Sequence, residues 1–404
     1  MKFDNLKQLL KHFVEVGPVG CCVSVSLNGK VEYEHYEGFA DLEKSRPVTK
    51  DTLFRIYSIS KVITVAGLMR LFERGAFLLN DPVSAYLPEF EHMMVYHCTG
   101  NGVISTEPAK RPITILNLLT MTSGFTYDPA TLPTSVLENG YNGPANPTEW
   151  QTKCMIDQLE AKGGYTLREF CKAISKIPLA FHPGEGWCYG YGIDIIGALI
   201  EVLSGKSLSS FLRDEIFLPL GMNSSCFFVP ENRKKDLAGI YVRENGVLRP
   251  NSLWDNFYQE EHLFESGGAG ILCTLEDLTR FAQMLSMGGS FGGEHILGRK
   301  TIDMMRRNYL TSRQMRCFEE AHDNGWDFLK GYGYGLGVRT LEDPAKGGWN
   351  GSRGEFAWAG AAGTYLLADP EEKLAICYMH QLRPNNMEEY CTPRIRNVVY
   401  GALD

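Results

Sequence analysis

Apolar positions at the start of the chain recur with a helical period. Phe3, Leu6, Leu10 and Phe13 fall on one face, with lysines and acids on the others, which predicts an amphipathic helix. The period then changes to two. Residues 21–27 and 31–36 flank Asn28-Gly29, a dipeptide suited to a tight turn, so an antiparallel hairpin is expected. A third pattern begins at Val62. The run 62–72 is apolar almost throughout and closes on Glu73-Arg74-Gly75, a helix end followed by glycine. A helix that is apolar all round has no solvent face, so this one is predicted to be buried. Asn80-Asp81-Pro82-Val83 then restarts a helix, with Asp81 as N-cap and Pro82 in the first turn.

From there to about residue 235 the pattern is mostly helices and loops. Residues 114–119 read as a helix stopped by Thr122-Ser123-Gly124. Residues 132–150, rich in Pro, Asn and Gly, read as a loop placed to border a site. An amphipathic helix is expected over 275–285. Strand signals return late: 331–338 alternates with period two, 357–368 and 374–380 read as paired strands, and 393–403 as a closing helix. Strands at both chain ends with helices between them predict an α/β (α+β) protein. One central antiparallel sheet, flanked by helices, would be built from both ends, with a mostly helical subdomain inserted in the middle. The expected boundaries make 1–404 a single unit, with the α/β subdomain at 1–80 and 236–404 and the helical subdomain at 81–235.

Composition narrows the partners. The 404 residues are 44% hydrophobic, enough for a large core in two lobes. Forty basic and 48 acidic residues give a net charge of −8 with no basic block. That argues against nucleic acid or an anionic membrane as partner. The N-terminal segment lacks the uninterrupted apolar core of a signal peptide, and no stretch reaches the roughly 18 apolar residues of a membrane span. The 11 cysteines are odd in number and irregularly spaced, which suggests reduced core thiols and a cytoplasmic location. No Cys-x-x-Cys or His-x-x-x-His occurs, and His92 and His97 are poorly spaced for one helix face, so no metal site is expected.

The candidate chemistry lies just before the buried helix, in Phe54-Arg55-Ile56-Tyr57-Ser58-Ile59-Ser60-Lys61. A Ser and a Lys three positions apart share a helix face. Ser58 would stand at the helix N-terminus, near free N–H groups and the positive dipole end. A serine hydroxyl is a poor nucleophile until a base takes its proton. Desolvation and a positive helix end both disfavour a charged lysine, which fits Lys61 for that task. Ser60 points to another face.

Gly38-Phe39-Ala40-Asp41-Leu42, Pro47-Val48-Thr49 and the residues from Asp51 to Ile56 lead into this motif. The sequence here resembles the approach to the nucleophile in the serine β-lactamase and penicillin-binding-protein superfamily. It is most similar to the branch holding class C β-lactamases, D-Ala-D-Ala carboxypeptidases and related esterases. Residues 113–124 and 265–274 also resemble that superfamily and are read as scaffold, with the glycines of 265–274 shaping the site floor. Residues 183–197 resemble its tyrosine motif, which would make Tyr189 the proton shuttle, a base and then an acid. The β-lactamases and peptidases usually carry Asn two residues later. Here that residue is Tyr191, expected to line the pocket, and Asp194-Ile195-Ile196-Gly197 looks more like the esterase branch. The resemblance places Trp358-Ala359-Gly360 where the superfamily has Lys-Thr-Gly. It also implies an oxyanion hole from the Ser58 and Ala361 N–H groups, donors worth roughly 3–4 kcal/mol each. Small residues there let a substrate lie against a strand edge. Trp358 supplies an apolar wall where a Lys would hold a carboxylate, which favours neutral esters over lactams and peptides.

The resemblance spans about residues 15–400. It implies the β-lactamase/transpeptidase-like fold and a serine hydrolase acting through an acyl-enzyme, with no cofactor and a small-molecule ester or amide as partner. A carboxylesterase on small or medium acyl esters is the preferred reading. A β-lactamase, D-amino-acid amidase or peptidase, or an acyltransferase would use the same residues. A non-catalytic scaffold is disfavoured by the intact Ser58, Lys61 and Tyr189. Gly288-Gly289-Ser290-Phe291-Gly292 fits a nucleophile elbow by pattern, but a helix precedes it where a strand is required, so a helix-terminating loop is expected. The glycines at 331, 333, 335 and 337 open no helix and are no dinucleotide fingerprint. His182 and His380 are read as structural.

Overall fold

An eight-stranded antiparallel sheet carries both ends of the chain. The computed structural model describes residues 3–98, 104–127, 147–251, 255–323, 326–385 and 387–403. Strands β1 (Gly20–Leu27), β2 (Lys30–Asp41) and β3 (Arg46–Pro47) come from the N-terminal part. Strands β4 (Tyr332–Tyr334), β5 (Arg339–Leu341), β6 (Phe356–Ala359), β7 (Tyr365–Asp369) and β8 (Leu374–His380) come from the C-terminal part. Their order is β4-β5-β6-β7-β8-β1-β2-β3. The two ends meet where β1 pairs with β8, from Cys21 opposite His380 to Leu27 opposite Leu374. The β1–β2 turn holds Asn28 at φ 52° and Gly29 at φ 74°, the left-handed pair that a tight two-residue hairpin requires.

Helices cover both faces. Five matter most: α1 (Asp4–Val16), α2 (Ser60–Glu73), α3 (Gly192–Ser204), α4 (Leu275–Ser286) and α5 (Glu388–Tyr400). Leu6, Leu10 and Phe13 of α1 and Ile395 and Val399 of α5 share one apolar core with Val23, Ile376 and Tyr378 of the sheet. On the other face, α4 lies on β1, β7 and β8, and α2 packs against α3. The α2 prediction holds: Lys61 to Met69 is buried at every position, and Gly75 follows the helix at φ 72°. Among the described residues no single helix is long and apolar enough to cross a membrane, and ten cysteines are free thiols, most of them buried.

Several local expectations are corrected. Asp81 is no N-cap. Its carboxylate accepts from the Leu78 N–H at 2.8 Å and the Tyr86 hydroxyl at 2.7 Å, and two short 3-10 turns, Val83–Ala85 and Pro88–Phe90, follow in place of a helix. The alternating run 331–338 is β4 and a reverse turn, closed by the Gly335 N–H donating to the Val338 carbonyl at 2.7 Å. The turn sits on α2, where a Cβ on Gly337 would lie 2.7 Å from Val65 Cγ2. The run 357–368 is likewise two strands, β6 and β7, joined by a turn at 360–364. The closing helix begins at Glu388, so Pro393 lies inside it. The mostly helical stretch also contains a hairpin, Met94–Cys98 with Ile104–Pro108. Of the loop placed at 132–150, residues 132–146 lie outside the described residues, and Pro147–Glu160 is helical.

One buried ion pair ties α5 to the sheet. Arg396, 1% exposed, donates to both oxygens of the fully buried Glu355 at 2.6 and 2.9 Å, and Tyr332 and Tyr400 donate to the same carboxylate. Removing one partner strands a buried charge. Glu355→Ala is therefore expected to lower unfolding free energy by about 3–5 kcal/mol, read from the midpoint of a urea transition.

Candidate active site

The segment entering the site is held by three chain-distant stretches. Phe54 and Arg55 pair with Cys273 and Leu272, and the Ile56 N–H donates to the Ile271 carbonyl at 3.1 Å. The Gln381 side chain brackets the Arg55 backbone: its Oε1 accepts from the N–H at 3.3 Å and its Nε2 donates to the carbonyl at 3.1 Å. Thr364 Oγ1 donates to the Ile56 carbonyl at 3.1 Å. Tyr57 then adopts φ 43°, a left-handed conformation costing an aromatic residue about 1–2 kcal/mol. Its ring meets Tyr258 edge-on at 5.8 Å and lies under the Arg383 guanidinium at 5.1 Å. This bend delivers Ser58 on a 3-10 turn, Tyr57–Ile59, that runs into α2.

Lys61 is wholly buried in the first turn of α2. Its Nζ donates to Ser58 Oγ at 3.3 Å and to the Gly268 carbonyl at 2.8 Å. It also lies 4.7 Å from the Tyr189 ring centroid and 5.1 Å from that of Tyr127. Two hydrogen bonds and two ring faces thus replace water around the ammonium.

The Gly268 turn is held in its own right. Asp194, 1% exposed in the first turn of α3, accepts from Ser266 Oγ at 2.6 Å and the Gly268 N–H at 3.0 Å with one carboxylate oxygen. The other oxygen accepts from the Tyr127 hydroxyl at 3.2 Å. A Cβ on Gly268 would lie 2.7 Å from Asp194 Oδ2 and 2.8 Å from the Tyr127 oxygen, so only glycine fits. Burial, and then the charge of Asp194, push the Tyr127 phenol well above its ordinary pKa, so it stays a donor. Tyr127 was not expected from the sequence. Asp194 carried a signal there, as the one acid in the first turns of an otherwise apolar helix.

Tyr189 and Trp358 meet across the site. The Trp358 indole N–H donates to the Tyr189 hydroxyl oxygen at 3.0 Å, with ring centroids 5.3 Å apart. Trp358 is therefore more than the expected apolar wall: it brings a hydrogen-bond donor to the phenol oxygen. A cavity of about 390 Å³ opens beside them, lined by Ser58, Tyr189, Trp358, Ala359, Gly360 and Ala361. Gly360 allows the close approach, because a Cβ there would lie 2.4 Å from the Ile56 carbonyl oxygen. Among the described residues no backbone carbonyl accepts from the Ala361 N–H. Trp326, Phe328, Asn385 and Glu389 complete the wall; nothing in the sequence had marked them. Tyr191 is not part of that wall. It precedes α3 and backs Tyr127, its ring edge-on at 4.3 Å. A hydroxyl beside an amine and a phenol, facing a cavity next to backbone donors, can add to a carbonyl and hold the resulting oxyanion.

The other candidates sit elsewhere. His182 pairs with Glu107 at 2.9 Å. Ser290 lies on a small exposed hairpin, Ser290–Phe291 with Glu294–His295, 2.9 Å from His295 Nδ1, with no helix to form an elbow. Among the described residues no group of three His, Cys, Asp or Glu is arranged to hold a metal ion. His380 is buried between the Tyr378 hydroxyl at 3.1 Å and Asn385 Oδ1 at 3.2 Å.

Two outcomes are expected. Asp194→Asn loosens the turn that holds Lys61. Fluorophosphonate labelling of Ser58, followed by intact mass, should slow by about tenfold or more, with about 1–3 kcal/mol of stability lost. For His380, burial lowers the pKa from 6.5 to about 4. The unfolded chain takes up this proton at higher pH than the folded chain does. This contribution to stability is therefore lost as pH falls from about 6.5 to about 4, up to about 3 kcal/mol in all. Urea midpoints across that window should fall less in His380→Gln than in the wild type.

Comparison with known proteins agrees with this architecture. The Beta-lactamase family model matches residues 6–400. Esterase EstB of Burkholderia gladioli is 28% identical over 406 residues, covering 95% of this chain and 91% of the esterase. The solved structure of EstCE1, a hydrolase with promiscuous acyltransferase activity, matches at TM-score 0.76 and 25% identity, covering 99% of this chain and 98% of that one. Simvastatin synthase (LovD) from Aspergillus terreus matches at TM-score 0.81 over 99% of this chain and 98% of its own; at 21% identity that likeness shows the fold. A match over nearly the whole chain, on the expected mixed fold with its large antiparallel sheet, makes this protein a member of the β-lactamase family, a serine hydrolase family with esterase and acyltransferase homologues.

Proposed function

We propose that the protein is a carboxylesterase acting through an acyl-enzyme on Ser58. The observation that carries this reading is the buried Lys61 Nζ placed 3.3 Å from Ser58 Oγ, with the Tyr189 ring 4.7 Å from the same nitrogen. Ser58 Oγ attacks the ester carbonyl carbon as its proton passes to the Lys61–Tyr189 pair, which enters the step one proton short and leaves it fully protonated. The carbonyl oxygen becomes an oxyanion held by the Ser58 and Ala361 N–H groups. Collapse of this intermediate breaks the bond to the alcohol oxygen, which leaves with the proton carried by Tyr189. Water then adds to the acyl-serine by the reverse proton path and releases the acid. Trp358 orients the Tyr189 oxygen through its N–H and brings no positive charge to the cavity. A neutral ester suits such a wall better than a carboxylate-bearing lactam or peptide. The esterase and hydrolase among similar proteins support the same choice.

Incubation with a fluorophosphonate should give one adduct by intact mass on the wild type and none on Ser58→Ala. In parallel, p-nitrophenyl esters of short and medium acids should be turned over with a kcat/KM at least about 1,000-fold above that of Ser58→Ala. Clear nitrocefin turnover without ester turnover would replace the esterase by a β-lactamase on the same residues.

A further inference from the structure

The cavity beside Ser58 has a one-sided composition. Four aromatic residues, Tyr189, Trp326, Phe328 and Trp358, line it. Their rings are contiguous: Trp326 stacks on Phe328 at 5.7 Å and 23°, meets Tyr189 edge-on at 5.3 Å, and Tyr189 meets Trp358 at 5.3 Å. Glu389, exposed in the first turn of α5, is the one carboxylate on the described wall, and no Lys, Arg or His lines it. Among the described residues the Glu389 carboxylate has no ion pair or hydrogen bond.

Aromatic faces carry negative charge density and attract cations, most strongly where water is excluded. The Glu389 carboxylate at the rim adds a field of the same sense. Such a wall provides few hydrogen-bond acceptors. A primary ammonium, with three N–H donors to satisfy, would lose more hydration here than it regains. A quaternary ammonium has no N–H, presents methyl groups to the rings, and keeps its charge at any pH. A carboxylate in the same place finds no cation among the lining residues and meets the like charge of Glu389; Lys61 Nζ stands behind the wall, against Ser58 and Tyr189.

We propose that this cavity is a subsite for a quaternary ammonium group and that esters carrying one are the favoured substrates. The substrate claim rests on the reading of Ser58 as nucleophile; the binding claim does not. Two measurements separate them. In the first, benzyltrimethylammonium is titrated into the Ser58→Ala protein while intrinsic fluorescence is followed, since Trp326 and Trp358 both line the cavity. Saturable quenching is expected, with affinity about tenfold weaker after Glu389→Gln and weaker again at high salt. Absence of saturation, or an affinity indifferent to Glu389→Gln, overturns the subsite. In the second, hydrolysis of butyrylcholine and of its uncharged isostere 3,3-dimethylbutyl butyrate is compared by pH-stat. The expected kcat/KM ratio is about tenfold in favour of the cation, falling toward unity in Glu389→Gln. A wild-type ratio of one or less, with the neutral ester turned over, overturns the substrate preference and leaves the hydrolase reading standing. Turnover of neither ester counts against the hydrolase reading, while the fluorescence titration still decides the subsite.

Discussion

A lysine ammonium closed off from water must be given its hydrogen bonds by the protein, and much of this molecule is arranged around that demand at Lys61. Desolvating such a group costs several kcal/mol, so its surroundings have to be complete. The Gly268 carbonyl at 2.8 Å, the Ser58 hydroxyl at 3.3 Å and the rings of Tyr127 and Tyr189 supply them. Each is fixed by something else. Asp194 on α3 clamps the Gly268 turn and binds Tyr127, so the helix beside α2 and the loop before α4 are both fastened to the same ammonium. The glycine at 268 and the buried acid in an apolar helix both follow from this one requirement.

The site lies on a seam. The α2 side brings Ser58 and Lys61, the stretch before α3 brings Tyr189, and the end of β6 with the turn after it brings Ala359, Gly360 and Ala361. The Trp358 N–H bonded to the Tyr189 oxygen crosses that seam directly. A tryptophan at this position keeps a donor on the phenol while adding no net charge to the cavity. Among the residues that line the cavity, the one that carries charge is Glu389, from the C-terminal helix, while Lys61 stands behind Ser58 and Tyr189.

Tyr57 shows how the entry to the site is kept in place. A left-handed aromatic residue is tolerated only where its neighbours over-determine it. Here the backbone just before it is bonded to Ile271, Thr364 and Gln381, and its ring is held by Tyr258 and Arg383. The strain sets the angle at which the serine leaves the strand and enters the helix.

What the amino-acid order determined by itself is what short-range periodicity and spacing decide. The amphipathic α1, the hairpin at Asn28-Gly29, the buried α2 and the shared face of Ser58 and Lys61 are all local consequences of side-chain pattern. Contribution of strands from both ends implied one antiparallel sheet, and the structure has it. Elements whose shape depends on a distant neighbour could not be read that way. The alternating run at 331–338 breaks into a strand and a turn because Gly337 must close on Val65 of α2. Asp81 closes a turn onto Leu78 and Tyr86 instead of capping a helix. The alliance of Tyr127, Asp194 and Gly268, the retreat of Tyr191 behind Tyr127, and the meeting of Trp326 and Glu389 at one cavity arise only when segments far apart in the chain are packed together. Burial then decides which polar groups must find each other, and that is a property of the tertiary structure alone.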